Sequence, residues 1–211
     1  MNKRQVATKS ERSGSSFVIA VSGTSGAGKS SVIAATAELL TSAARLHFDD
    51  YVTLGNDIAQ IRAWIDSGAS PDEIKTPVLA VDLRTLISGE PIRPPNAGHM
   101  VHPADYIILE EPFGRSRLEL ASLIDLTVYI DVPPDVALAR RITREIAAQQ
   151  NGAEQLVAEI EGQLRAFLAI GRDAYLAAAR AAHKSADIVL DGMLPVDELA
   201  AAIVDEVRRR A

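Results

Sequence analysis

The hydrophobic positions of this chain fall into short continuous runs separated by longer segments of helical periodicity. Phe17–Ser22 (FVIAVS) is an apolar, β-branched run that ends in a glycine-rich turn, the pattern of a strand buried on both faces. From Lys29, KSSVIAATAELLTSA is rich in alanine and leucine with apolar residues at helical spacing, and predicts a helix. ARLHF predicts a second strand, ending at two aspartates. Residues 56–67 (NDIAQIRAWIDS) are amphipathic, with an Asn cap and Gly68 as a stop, and put Trp64 on an apolar stripe with Ile61 and Ile65 that reads as core. Residues 79–88 predict a further helix closed by Gly89.

The same alternation continues. DYIILEE and LTVYIDV predict strands around a helix over RSRLELASLI, and PPDVALARRITREIAAQQ opens a helix with prolines at its first turn. Residues 153–183 read as largely helical, with Leu156, Ile160, Leu164 and Leu168 on one stripe. ADIVLDG predicts a last strand and PVDELAAAIVDEVRRR a last helix, its arginines suited to the C-terminal dipole. Apolar strands alternating with helices imply one α/β domain over residues 15–211, with a mainly parallel sheet of about five strands covered on both faces as a three-layer α/β/α sandwich. Residues 1–14 are polar and basic and predict a flexible tail.

Composition narrows the partners. A net charge of −6 and a pI near 5.3 argue against nucleic acid or an anionic membrane surface, so any bound anion must be held by a local site. FVIAVSG is too short to span a bilayer. The absence of cysteine excludes disulfides and thiolate metal sites and points to a cytoplasmic protein.

The chemistry begins at Gly23, Thr24, Ser25, Gly26, Ala27, Gly28, Lys29 and Ser30, which fit G-x-x-x-x-G-K-[ST] between a predicted strand and a predicted helix. The glycines let consecutive N–H groups curl around phosphate oxygens at the positive end of a helix. Lys29 then reaches the β- and γ-phosphates, and the Ser30 hydroxyl completes a Mg²⁺ shell, with Ser31 next in line. These residues define a P-loop NTPase that binds ATP and Mg²⁺. No N-K-x-D or D-x-x-G of a guanine-nucleotide switch is present, and the strand YIIL instead ends at Glu110, where a carboxylate beside the P-loop can hold Mg²⁺ directly or through water.

VSGTSGAGKSS, FDDY, DYIILEEPFG, DLTVYIDVPPDVALARRITREI and SADIVLDGMLPVDELA follow one another in an order that resembles the uridine kinase-like family. That family includes uridine–cytidine kinases and, more distantly, nicotinamide riboside kinases, phosphoribulokinase and pantothenate kinase. The resemblance implies an ATP- and Mg²⁺-dependent phosphotransferase acting on a small-molecule alcohol, with a helical lid near residues 140–152, and it leaves homo-oligomerisation open. It puts the base that takes the hydroxyl proton at Asp49, with Asp50 as runner-up or an outer Mg²⁺ contact. It puts the magnesium carboxylate at Glu110, where the usual following glycine is Glu111, and the lid arginines at Arg140, Arg141 and Arg144. Arg140 and Arg144 share a helix face and could reach one triphosphate. Asp82 resembles the family's ribose-binding aspartate, with one extra residue between Pro77 and Asp82.

The family's base-wrapping hairpin is replaced by IRPPNAGHMVHPAD, which has no aromatic residue. A stacking platform would have to come from Phe48, Tyr51, Trp64 or Phe113. The histidines have no metal-ligand spacing with carboxylates. The expectation is a kinase of a nucleoside-like or other sugar-bearing metabolite, with Asp49, Lys29, Arg140 and Arg144 catalytic, and Asp50, Tyr51 and Asp82 toward the acceptor. The alternatives are a non-catalytic ATP-sensing module, or a kinase of an unrelated acceptor such as an antibiotic or polyol.

Overall fold

The computed structural model describes residues 16–52, 58–148 and 152–211. β1 (Phe17–Ser22) is buried along its whole length. It pairs in parallel with β3 (Tyr106–Glu110) on one side and β4 (Leu126–Asp131) on the other. β2 (Ala43–Leu46) adds outside β3 and β5 (Ile188–Asp191) outside β4, so the sheet runs β2-β3-β1-β4-β5 with every pairing parallel. The edge strand β5 alternates half-buried and exposed residues, whereas the central strands are continuous apolar runs, as a sheet covered on both faces requires.

In chain order the helices are α1 (Lys29–Leu39), α2 (Ile58–Asp66), α3 (Pro77–Ile87), α4 (Leu118–Ala121), α5 (Pro134–Ala148), α6 (Ala153–Ala166), α7 (Arg172–Ser185) and α8 (Val196–Arg210). Strand side chains alternate between two cores. Ile19, Val21 and Ile108 pack with Val32 and Ile33 of α1 and with Leu199, Ile203 and Val207 of α8. Val18, Ala20, Ile107 and Leu109 pack with Leu79, Leu83 and Leu86 of α3. This is the expected three-layer sandwich.

Four expectations change in detail. The helix anticipated over RSRLELASLI shrinks to the four residues of α4. The side chains meant to face solvent are drawn inward instead: Arg115 donates to the carbonyls of Ile124 and Asp125, and Arg117 is fully buried. The long helix over residues 153–183 is divided by a π turn, Phe167–Gly171. An inserted residue advances the helix phase, so the stripe of Leu156, Ile160 and Leu164 is half-buried while Leu168 is 77% exposed and Ile170 is buried in its place. Trp64, Ile61 and Ile65 are half-buried, because α2 carries no fully buried residue. The anticipated starting residues of α2, the N-terminal tail and residues 149–151 of the lid lie outside the described residues.

Candidate active site

The strand order reverses at the centre of the sheet, with β1 flanked by β3 and β4, and the loop leaving β1 opens into the crevice at the strands' carboxyl ends. That loop is Gly23–Gly28. Gly28 precedes α1 in the left-handed region (φ 91°), and Gly26 (φ 94°) passes so close to α5 that a Cβ there would land on the Ala137 carbonyl. The first turn of α1 has no side-chain cap and no acidic residue, so nothing within the helix competes for an anion at its positive end. Thr24 Oγ1 is buried with no hydrogen-bond partner among the described residues. An orphaned hydroxyl in a phosphate-binding loop is what a bound phosphate oxygen would satisfy.

Strand register does the rest of the assembly on this side. Val21 pairs with Glu110 and Leu46 with Leu109, which brings the ends of β1, β2 and β3 together. Lys29 Nζ lies 3.4 Å from Glu110 Oε1 and donates to the Thr24 carbonyl at 3.2 Å. His47, the residue after β2, places Nδ1 3.3 Å from Glu110 Oε2. Burial alone would raise the Glu110 pKa, but the His47 hydrogen bond and the Lys29 charge outweigh it and hold the carboxyl below the ordinary glutamate range. The Glu110 hydrogen bond, against burial, raises His47 above the ordinary histidine value. Glu110 is therefore kept ionised beside the P-loop.

The residues expected on the acceptor side start one residue later. Phe48–Asp50 form a single 3₁₀ turn, with Asp49 exposed and Asp50 half-buried. Tyr51 is buried and donates its hydroxyl to Asp82 Oδ2 at 3.0 Å, which joins the 48–51 turn to α3. Burial raises the Asp82 pKa, and the Tyr51 hydrogen bond opposes this. Burial and the neighbouring Asp82 carboxylate push the Tyr51 phenol far up, so Tyr51 is a neutral donor at every physiological pH. Asp49, Asp50, Tyr51 and Asp82 thus lie along one connected segment. Beside it a groove of about 440 Å³ runs along β2, where Arg45, His47 and Asp50 face His99 and His102 of the 91–104 loop.

A cluster that sequence reasoning did not single out lies beneath this segment. Glu111 and Arg117 are both fully buried and face each other in a forked ion pair, with Arg117 Nε 3.1 Å from Glu111 Oε1. Arg117 also donates to the Ile74 carbonyl and the Thr76 hydroxyl. Its guanidinium lies 5.4 Å from the Phe48 ring centroid and 6.0 Å from that of Phe113. Phe113 meets Phe48 and Trp64 edge-on. The sequence signal was the second glutamate of ILEEPFGRSR, an acidic residue where strand burial was still expected.

The helix arginines divide differently from their sequence spacing. Arg140 donates to the Gly192 carbonyl beyond β5, at 3.0 Å, and Arg144 is exposed. Arg141, between them, turns toward the P-loop: with Arg172, Tyr175 and Phe167 it lines a small cavity against Thr24 and Ser25. It donates to the Tyr175 hydroxyl and lies 5.6 and 5.7 Å from the centroids of the neighbouring Phe167 and Tyr175 rings. Arg172 was not anticipated, because the π turn that orients it carries no periodic signature.

Two hard oxygen groups could hold magnesium: the Glu110 carboxylate, held ionised, and the Ser30 hydroxyl at the start of α1. Among the described residues no group of three or more acidic or histidine ligands forms a metal cage. Mg²⁺ commonly keeps several waters and takes further oxygens from phosphates. Among the described residues no helix is long and apolar enough to cross a membrane.

A parallel β2-β3-β1-β4-β5 sheet with a glycine-rich loop, Lys29 and an acidic β3 terminus defines a P-loop kinase. The chain belongs to the phosphoribulokinase/uridine kinase family, whose model matches residues 83–194, just over half of its length. It is a nucleotide-binding phosphotransferase with a hydroxyl group as acceptor. Relatives include a uridine kinase from Deinococcus deserti, 28% identical, with 82% of this chain and 86% of that one aligned. A uridine kinase from Brevibacillus brevis is 24% identical over 84% of this chain and 85% of its own. Among solved structures, a candidate fructose transport system kinase from Silicibacter sp. TM1040 superposes with a TM-score of 0.56 at 20% identity, covering 85% of this chain and 92% of that one. A "possible uridine kinase" from Bacillus stearothermophilus gives 0.53 at 16% identity, over 86% of this chain and 92% of the other. The last two comparisons concern the fold alone.

Proposed function

We propose that the protein transfers the γ-phosphoryl group of ATP, with Mg²⁺, to a hydroxyl of a nucleoside-like or other sugar-bearing metabolite, with Asp49 as the base. The observation that carries this reading is Glu110 held between Lys29 and His47, with the Asp49–Asp50 turn starting at the next residue. The curated relatives named as uridine kinases support a nucleoside-like acceptor. Ser30 and Glu110 would hold Mg²⁺, which when bound would neutralise charge on the phosphates. Lys29 would exchange Glu110 for a phosphate oxygen, and Arg141 with Arg172 would add positive charge at the flank of the loop. Phosphoryl transfer has a loose transition state, so these groups need only position and neutralise. Asp49 would orient the acceptor hydroxyl and take its proton late, because a carboxylate is too weak a base to remove it beforehand.

A second reading concerns the acceptor alone. The 91–104 loop lacks aromatic residues, and Phe48, Trp64 and Phe113 already pack on one another, which favours a non-aromatic polyol over a stacked base. One experiment separates the readings: ADP release, coupled to an optical assay, over a panel of nucleosides, nicotinamide riboside, pantothenate, free sugars and polyols. Turnover with a nucleoside supports the first reading, turnover only with sugars or polyols supports the second, and ATP binding without any acceptor-dependent turnover would overturn both.

A further inference from the structure

We infer that the Glu111–Arg117 pair is a positioning device for the acceptor side, clamping the turn that carries Asp49 and Asp50. The inference rests on reading that turn as the acceptor-side acid. Arg117 reaches three chain segments at once. Its fork is taken by Glu111, just past the end of β3; its Nη1 donates to Ile74 and Thr76, ahead of α3; and its guanidinium carbon lies over the ring of Phe48, the residue before Asp49. Two of the segments it joins carry acceptor-side groups, Asp82 on α3 and the turn that Phe48 leads, and the third follows Glu110 at the end of β3.

Two features argue that the pair is placed for position. A buried ion pair is costly in desolvation and is often replaceable by apolar residues without loss of stability, so its presence calls for a reason beyond holding the fold together. A guanidinium also fixes orientation in a way an apolar side chain cannot, because its fork and its plane are locked in one rigid unit. Glu111 is anchored in turn: it accepts from the Phe113 amide, its carbonyl accepts from Ser22 Oγ, and its amide donates to the Val21 carbonyl. The reference for the clamp is therefore β1 itself, the strand that ends in the P-loop. The pair ties acceptor geometry to donor geometry.

Arg117→Lys keeps the charge and loses the fork and the stacking plane. It is expected to lower acceptor-dependent kcat by about 100-fold, the scale of a small misplacement, with ATP affinity within about twofold of the parent. Amide hydrogen exchange, which needs no acceptor, should quicken at residues 47–51 and 74–82 and stay unchanged at residues 17–36. The double variant Glu111→Leu/Arg117→Met removes both charges and covers the case in which Arg117→Lys fails to fold. Its melting temperature should return toward the parent while kcat stays low. The proposal is overturned if exchange at residues 47–51 matches the parent in either variant, or if the double variant regains parental kcat together with its stability. Asp49→Asn measured in parallel keeps the two ideas apart: parental transfer there removes Asp49 as the base, while the exchange result still decides the clamp.

Discussion

The donor half and the acceptor half of the cleft are built on opposite principles. On the proposed donor side the contiguous run Gly23–Ser30, a glycine-shaped loop leading into α1 with one lysine, offers its own backbone to a phosphate. On the proposed acceptor side the 48–51 turn, α3 and the segment after β3 are joined through side chains, Tyr51 to Asp82 and Arg117 to Glu111 and Phe48. A backbone site tolerates change around it but none within it. A side-chain site can be rebuilt residue by residue, which is how one phosphate-transfer scaffold accommodates different acceptors.

Four perturbations sharpen that contrast. Lys29→Ala should reduce transfer by roughly 10²–10³-fold, the scale of one lost charge-stabilising donor, and should also weaken ATP binding measured by calorimetry. Arg117→Met alone leaves the Glu111 carboxylate buried without its partner, and should destabilise the fold by about 3–5 kcal/mol in denaturant unfolding. Gly26→Ala forces a side chain into left-handed backbone and onto the Ala137 carbonyl. It should cost about 1–3 kcal/mol and displace the loop from α5, lowering ATP affinity while the acceptor KM holds.

The smallest effect falls outside both halves. Asp187 ties Arg115 and Arg210 to the amide and hydroxyl of Thr127. Burial would raise its pKa, but the Arg115 and Thr127 hydrogen bonds prevail and lower it to about 2. Because the folded value lies below the unfolded one, its stabilisation is complete above about pH 4 and is lost as pH falls toward 2. Asp187→Asn should therefore cost about 1–2 kcal/mol at pH 7 and progressively less between pH 4 and pH 2, with kcat and ATP affinity unaltered.

What could be read from the chain follows the same division. The strands, their parallel arrangement and the P-loop were legible because each depends on local periodicity or on a fixed residue spacing, as at Phe17–Ser22 and Gly23–Ser30. Glu110 was legible as the acidic end of an apolar strand. Its pairing with His47 was not, since that depends on the Leu46–Leu109 register across two strands. Arg117 fell within a predicted helix and was not singled out, because nothing local reveals that its fork is met by a glutamate six residues earlier. Arg172 escaped, and Arg141 was named only as one lid arginine among three, for a related reason. Helical spacing grouped Arg140 with Arg144, but the surface against which α5 packs turns Arg140 to the Gly192 carbonyl and Arg141 to the P-loop.

The most direct test of the account is Asp49→Asn, assayed twice: for acceptor-dependent ADP release on whichever acceptor the panel identifies, and for ATP affinity by calorimetry. The account predicts a loss of roughly 10²–10⁴-fold in kcat, the contribution of a positioned base, with ATP affinity nearly unchanged. Full transfer by Asp49→Asn, with the loss appearing instead in Asp50→Asn, would move the base by one residue. Parental turnover in both variants would contradict the acceptor-side assignment outright.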